Sequence, residues 1–125
     1  MTARDADTAR KDAETAAGGA HPCSIESGMR ILGGKWTGSI LWHLQDRPVR
    51  FNELARMISG ASKKMIADRL RLLEARGLIT RRVLEGAPVA VEYELTPLGA
   101  DALECLDALR RWTERLPPQM DETVD

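Results

Sequence analysis

The chain has 125 residues, which fits one domain with tails, and its 18 basic and 19 acidic side chains give a formal net charge of −1. Because the longest apolar runs are only a few residues, such as Val89-Ala90-Val91, we expect no transmembrane helix. Residues 1–20 are too polar and charged for a secretory signal. Two cysteines, Cys23 and Cys105, do not make a disulfide scaffold, so a cytoplasmic protein is expected.

The first third of the chain predicts a flexible tail followed by two helices. Residues 1–20 form the tail, because alanine supplies almost all of their apolar surface. Ser24 can cap a first helix over residues 25–32, which a pair of glycines ends. A second helix over about residues 36–45 has apolar side chains at helical spacing, and Pro48 lies just beyond it.

The middle of the chain predicts a helix-turn-helix pair. Residues 49–51 could form a β-bridge, and Asn52 can cap a short third helix. After a turn, Ser62 caps a fourth helix that runs to Arg76 and buries one apolar stripe that includes Leu72, with Gly77 as its C-terminal glycine. The second helix of such a pair presents its N-terminal residues to base edges of DNA.

The last third predicts a β-hairpin and a long helix. Residues 79–84 and 91–95 are β-like runs joined by a loop, and Thr96 caps a helix that has Pro97 in its first turn and runs to about Leu116. The expected fold is therefore mainly α with a small hairpin, in a winged helix-turn-helix arrangement. We predict three regions, namely a tail (1–20), a DNA-binding and dimerisation domain (21–116) and a second tail (117–125).

The net charge of −1 is an average over unequal segments. Residues 47–82 hold ten basic and three acidic side chains, whereas residues 96–125 hold three basic and seven acidic ones. The basic block coincides with the helix-turn-helix and the start of the hairpin, which favours a polyanion as partner. A solvated helix surface explains the charge alone equally well.

Six segments of the sequence together resemble the HxlR-type family of bacterial transcription regulators. They are CSIE (23–26), ILGGKWT (31–37), RFNEL (50–54), RLRLLE (69–74), GLI (77–79) and VEYELTPLG (91–99). The resemblance covers about residues 21–115 and implies a homodimeric winged-helix DNA-binding protein, related in architecture to the MarR type. Family members repress or activate nearby operons, and several respond to electrophiles or oxidants through a cysteine at the position of Cys23.

The sequence departs from the family pattern at three places. Lys63 stands where the family often has proline, so the recognition helix gains a charge. Leu84-Glu85 and Val89-Ala90 replace a Tyr-Pro and a Pro-Arg pair of the wing. Arg81 and Arg82 are therefore expected to be the main phosphate contacts of the wing.

We expect the DNA contacts to come from the fourth helix, its surroundings and the wing. Ala67 could contact a thymine methyl group, and Asp68 could accept a hydrogen bond from a cytosine amino group. Asp68 could instead pair with Lys64 or Arg71 on the same helix. Arg69 could bond phosphate or brace the helix pair. The full set of expected DNA-binding residues is Arg50, Ser62, Lys63, Lys64, Ala67, Asp68, Arg69, Arg71, Arg81 and Arg82.

Cys23 is the candidate redox sensor, because a helix N-terminus favours the thiolate form of a cysteine. An inert thiol is the alternative, and Cys105 on the stripe of the last helix is expected to serve packing. His21, Cys23 and His43 do not have the paired close spacing of a structural metal site, so we expect no metal, no cofactor and no catalytic site.

The apolar stripe of the last helix is too extensive for one small domain, so we expect a two-fold dimer through the terminal helices. Its expected residues are Ile25, Leu98, Ala102, Cys105, Leu106, Leu109 and Trp112. The favoured function is a dimeric regulator, most simply a repressor, on a pseudo-palindromic DNA operator and switched at Cys23. Two alternatives are a regulator switched by a small molecule beside the last helix, with Cys23 silent, and a protein-interaction module without specific DNA binding.

Overall fold

A computed structural model describes residues 23–118, so the first expected tail and most of the second lie outside the described residues. The chain divides into two compact units, residues up to Gly34 and residues from Lys35 onward. In chain order the elements are α1 (Ser24–Leu32), α2 (Thr37–His43), β1 (Val49–Arg50), α3 (Phe51–Met57), α4 (Lys63–Ala75), β2 (Ile79–Leu84), β3 (Ala90–Leu95) and α5 (Pro97–Thr113). The expected fold class, mainly α with a small hairpin, is confirmed. None of the helices within residues 23–118 is long and apolar enough to cross a membrane.

The first unit contains α1, which begins one residue earlier than expected. Cys23 is its N-cap, and the Cys23 Sγ accepts a hydrogen bond from the Ile25 N–H at 3.3 Å. The prediction that Ser24 caps this helix is therefore wrong, because Ser24 already has helical geometry. None of the residues of α1 is buried, and the side chains of Ile25 and Met29 are 70% and 66% exposed.

A second capping prediction is also wrong. Arg50, not Asn52, is the N-cap of α3, and it makes no side-chain capping bond. The reason lies in the sheet, since Val49 and Arg50 pair with Tyr93 and Glu92 of β3. The chain passes from the strand directly into the helix, which places Asn52 inside the first turn.

Helix α4 has the boundaries that its sequence predicts. The Ser62 Oγ accepts a hydrogen bond from the Met65 N–H at 3.0 Å. At the other end Gly77 adopts φ 79°, and the Leu78 N–H donates to the Leu73 carbonyl at 3.0 Å, which is a Schellman ending. Leu72 is 40% exposed, so the prediction that it faces inward is wrong; the buried positions of α4 are Ile66, Leu70 and Leu73.

The three strands form an antiparallel sheet in the order β1-β3-β2, which confirms the expected hairpin and bridge. The core of the second unit lies between this sheet and helices α2 to α4. Each fully buried aliphatic side chain contributes about 1.5–3 kcal/mol through the hydrophobic effect. The most fully buried apolar side chains are Ile40, Leu41, Val49, Leu54, Ile66, Leu70, Leu73 and Ile79.

Helix α5 is fixed to the base of the wing by its first turn. The Thr96 hydroxyl accepts from the Gly99 N–H at 3.0 Å and donates to the Gly77 carbonyl at 2.7 Å. The Thr96 N–H donates to the Leu78 carbonyl at 3.1 Å. The start of α5 and the end of α4 are therefore held together, and α5 ends at Thr113, earlier than the expected Leu116.

Candidate DNA-binding surface

Two faces of α4 have opposite chemical character. Ile66, Leu70 and Leu73 are buried, while Lys64, Asp68 and Arg71 have the same spacing shifted by two residues. At 3.6 residues per turn, a shift of two residues turns a side chain by about 200° around the axis. The polar set therefore points away from the core, and Ser62 and Lys63 at the helix start are also exposed. Of the expected DNA-reading residues of α4, those at the helix start and in the polar set thus lie on the outside of the helix, whereas Ala67 and Arg69 are half-buried.

The Asp68 carboxylate pairs with two basic side chains on this face. Its carboxylate accepts from the Lys64 Nζ at 3.3 Å and from the Arg71 guanidinium. The Lys64 and Arg71 side chains are 85% and 70% exposed, while that of Asp68 is 37% exposed. Of the two roles considered for Asp68, the structure shows the pairing with its neighbours.

Arg69 braces the middle of α4. Its Nε donates to the Lys35 carbonyl at 2.9 Å, across 34 positions of sequence. This contact ties α4 to the segment that precedes α2. Of the two roles considered for Arg69, the structure therefore shows the bracing one.

Strand β2 of the wing carries two neighbouring arginines, Arg81 and Arg82, whose side chains differ in their partners. Arg82 lies opposite Glu92 in the strand register, and its guanidinium donates to the Glu92 carboxylate at 2.5 Å, which raises the pKa of Arg82. The Arg81 side chain makes no hydrogen bond or ion pair to any residue between 23 and 118. With Ala67, Arg71 and Glu74 it lines a recess of about 390 Å³ between α4 and the wing.

Arg50 lies on the other side of β3, at the start of α3. It lines an open groove of about 490 Å³ with Phe51, Arg56 and residues 88–91 of the wing. Within the same region the Arg47 guanidinium donates to the Glu53 carboxylate at 2.6 Å, and this hydrogen bond lowers the pKa of Glu53. The cations of residues 47–82 are therefore divided between α4, the wing and the start of α3.

These features match a known family of DNA-binding proteins. The family model described as HxlR-like helix-turn-helix matches residues 31–121 of the chain. The chain belongs to this family. It is 39% identical over 90 residues to YkvN, an uncharacterised HTH-type transcriptional regulator of Bacillus subtilis, covering 72% of this chain and 76% of that one.

Solved structures support the same assignment. A MarR-family regulator from Porphyromonas gingivalis is similar with a TM-score of 0.73 and 35% identity, covering 79% of this chain and 97% of that one. The redox regulator HypR in its reduced form is similar with a TM-score of 0.70 and 34% identity, covering 74% and 91% of the two chains, and HypR has also been solved in an oxidised form. This HxlR-type protein is therefore a winged-helix transcriptional regulator.

Both cysteines of the HxlR-type chain are exposed. Cys23 is held at the start of α1 by its bond from the Ile25 N–H. Cys105 lies on α5 and is not packed inside its own chain, so the expected packing role would need a second copy. No group of three potential metal ligands occurs among residues 23–118, and His21 lies outside them.

The expected dimerisation residues of α5 are exposed or half-buried. The side chains of Leu98, Leu109 and Trp112 are 56%, 54% and 52% exposed, and those of Ala102 and Leu106 are half-buried. Of the residues in α5, only Gly99 is buried. The helix thus carries an apolar stripe that its own chain leaves largely uncovered.

Two partners of the expected site residues could not be found from sequence. The sequence alone gives no signal for Glu92, because its pairing with Arg82 depends on strand register. The Lys35 carbonyl has no side-chain signal at all. The Arg47–Glu53 pair was also missed, although the opposite charges lie six residues apart on either side of a predicted helix start.

Proposed function

We propose that this regulator is a homodimeric repressor that reads a pseudo-palindromic operator with the outer face of α4. The observation that carries the proposal is the exposed polar set of α4, which lies opposite its buried stripe. Beside it lies Arg81 of the wing, whose side chain has no partner within residues 23–118. Ser62 and Lys63 at the helix start would meet phosphates and base edges. In a two-fold dimer the two α4 helices would lie about 34 Å apart, one turn of duplex.

The dimer would form through α5 with help from α1. The apolar stripe of α5, with three large side chains more than half exposed, supports this arrangement because a soluble chain gains by burying such a stripe. The oligomeric state tests it by light scattering after gel filtration. We expect a dimer for the wild type and a monomer for Leu109→Lys, while Glu104→Lys on the same helix leaves the dimer intact. A monomeric wild type would remove the dimer from the proposal.

DNA binding is tested by fluorescence anisotropy against fragments selected from genomic DNA, at several salt concentrations. The Lys63 side chain makes no hydrogen bond or ion pair among the described residues, so Lys63→Ala isolates one free cation. We expect weaker binding. We also expect the salt slope, which is the slope of the logarithm of the binding constant against the logarithm of the salt concentration, to be shallower by about 0.9 per protomer. Arg115→Ala is the matched control, because Arg115 lies beyond the far end of α5. The absence of sequence-selective binding at low salt would contradict the proposal.

We further propose that oxidants or electrophiles act on Cys23. The support is the exposed Sγ at the start of α1, together with the similarity to HypR, a redox regulator solved in two redox states. Modification at sulfur would remove the acceptor that caps α1, and so would alter a helix proposed to serve the dimer. Diamide or a quinone should change the DNA affinity of the wild type and of Cys105→Ser but not of Cys23→Ser. An equal response of all three proteins would exclude Cys23 as the sensor.

A second candidate function is regulation by a small apolar ligand. A groove of about 470 Å³ lies between α2 and α5, lined by Gly38, Ser39, Trp42, Leu106 and Leu109 among others. Its mostly apolar lining suits a ligand of that character. Thermal-shift screening of aromatic and aliphatic compounds tests this candidate. A compound that stabilises the wild type but not Trp42→Ala, and that changes DNA affinity in Cys23→Ser, would favour it over redox control.

A further inference from the structure

We propose that Asp68 is a specificity-determining residue that limits binding to non-cognate DNA by competing with phosphates for Lys64 and Arg71. This inference rests on the proposed DNA binding by α4. It is carried by the two contacts of the Asp68 carboxylate, one to the residue four positions before it and one to the residue three positions after it. We call these three residues the α4 charge triad.

The α4 charge triad lies on the face that would approach the duplex. Its three members are spaced i, i+4 and i+7, so they form a single row along the helix. The Lys64 and Arg71 side chains are mostly exposed and able to turn toward a phosphate. Asp68 lies between them, so any phosphate that approaches either cation also approaches its negative charge.

The α4 charge triad is not needed to build the helix. Ser62 caps its start, the Schellman bonds close its end, and the buried stripe fixes it to the core. Ion pairs between exposed side chains are weak and sensitive to salt. They are strong enough to shift a competition with phosphate and weak enough to open when a cognate base pair offers further contacts.

The surrounding cations provide an internal comparison. The side chain of Lys63, next to Lys64 in sequence, makes no hydrogen bond or ion pair to any residue that the structure describes. On a non-cognate duplex, Lys63 is therefore free to bind phosphate, whereas Lys64 must first leave Asp68. The proposal requires these two lysines to contribute unequally to non-specific binding.

The experiment compares the wild type with Asp68→Asn on a scrambled 30-base-pair duplex and on a selected genomic fragment, by fluorescence anisotropy over a salt series. Asparagine keeps the size of the side chain and removes its charge. We expect Asp68→Asn to bind the scrambled duplex about tenfold more tightly, with a salt slope steeper by about 0.9 for each cation released. Binding to the selected fragment should change less, so the ratio of specific to non-specific affinity falls.

Two controls separate this mechanism from a general effect of charge. Glu104→Gln removes one negative charge from α5 at an exposed residue without an ion pair within residues 23–118, and it should leave the scrambled-duplex affinity near that of the wild type. Asp68→Glu keeps the carboxylate and should preserve the low non-specific affinity. An equal gain for Glu104→Gln, or a gain for Asp68→Glu, would overturn the proposal.

A further measurement does not depend on the folding of Asp68→Asn. In the wild-type background, Lys63→Gln should reduce the salt slope on the scrambled duplex more than Lys64→Gln does. Equal reductions would overturn the proposal, as would an Asp68→Asn protein that loses affinity only for the selected fragment, because Asp68 would then read a base. If the wild type binds neither duplex, the proposed function fails and this inference fails with it.

Discussion

Gly99 is the position where the addition of one methyl group should disturb the link between α5 and the wing. A Cβ at Gly99 would lie 2.0 Å from the Leu78 carbonyl oxygen and 3.0 Å from the Leu78 carbonyl carbon. Ordinary contact begins near 3.4 Å, so the two segments would have to separate by about 1.4 Å. The obstacle is backbone and cannot be moved by changing a rotamer.

The cost of Gly99→Ala follows from these contacts. Overpacking of this kind costs about 1–3 kcal/mol. The displaced Leu78 carbonyl would also lose its hydrogen bond from the Thr96 N–H, about 1 kcal/mol, while alanine in a helix regains about 1 kcal/mol over glycine. We expect a net destabilisation of about 2 kcal/mol, which lowers Tm by about 8 °C in a chain of this size.

The assay is urea and thermal unfolding followed by circular dichroism at one fixed protein concentration, because association would make Tm depend on concentration. Gly28→Ala is the matched control. Gly28 lies inside α1 with nothing within 4 Å of its added Cβ, so this variant should be unchanged or slightly more stable. If Gly99→Ala unfolds at or above the wild-type midpoint, the reasoning from the Leu78 contact is refuted.

Two further outcomes are expected of the same chain. Leu70→Ala should lower the free energy of unfolding by about 2–5 kcal/mol, because Leu70 is 1% exposed, whereas Leu72→Ala should cost far less; similar losses in the two urea titrations would contradict this. Because Arg47 lowers the pKa of Glu53 below its usual 4.5, the wild type should be more stable than Glu53→Gln above that pH, and the difference should vanish as pH falls through the lowered pKa. A difference that persists unchanged at about pH 2 would argue against that pair.

Local signals in the sequence predicted the recognition helix well. The hydroxyl of Ser62 and the glycine at position 77 act on their own neighbours within a few residues, so their effects could be anticipated without tertiary structure. The wrong N-caps at Ser24 and Asn52 have different origins. A cysteine occupies the capping position of α1, and the pairing of β1 with β3 advances the start of α3.

The candidate site was predictable in its residues but not in its pairings. Charge counting located the basic segment, and helical periodicity left Lys64, Asp68 and Arg71 outside the buried stripe of the fourth helix. The i, i+3 and i, i+4 spacing also suggested that Asp68 could pair on the helix, although it could not decide between pairing and base contact. The Arg82–Glu92 pair required a strand register, and the contact from Arg69 required a segment 34 residues away.

The pairings change what the basic segment implies for DNA binding. Of the ten cations in residues 47–82, four form ion pairs, Arg69 braces α4, and Arg76 has a partner of its own. The side chains of four others, Arg50, Arg56, Lys63 and Arg81, make no hydrogen bond or ion pair to the described residues. Each phosphate contact contributes about −0.9 to the salt slope. A dimer that used only these four cations of each protomer would show a salt slope of about −7 on a non-specific duplex, against about −18 if all ten cations of each protomer bound phosphate. A salt slope of about −18 would mean that phosphates displace Glu53, Asp68 and Glu92 from their ion pairs with the basic side chains. The total charge of the segment, and not its internal pairing, would then determine the affinity for DNA.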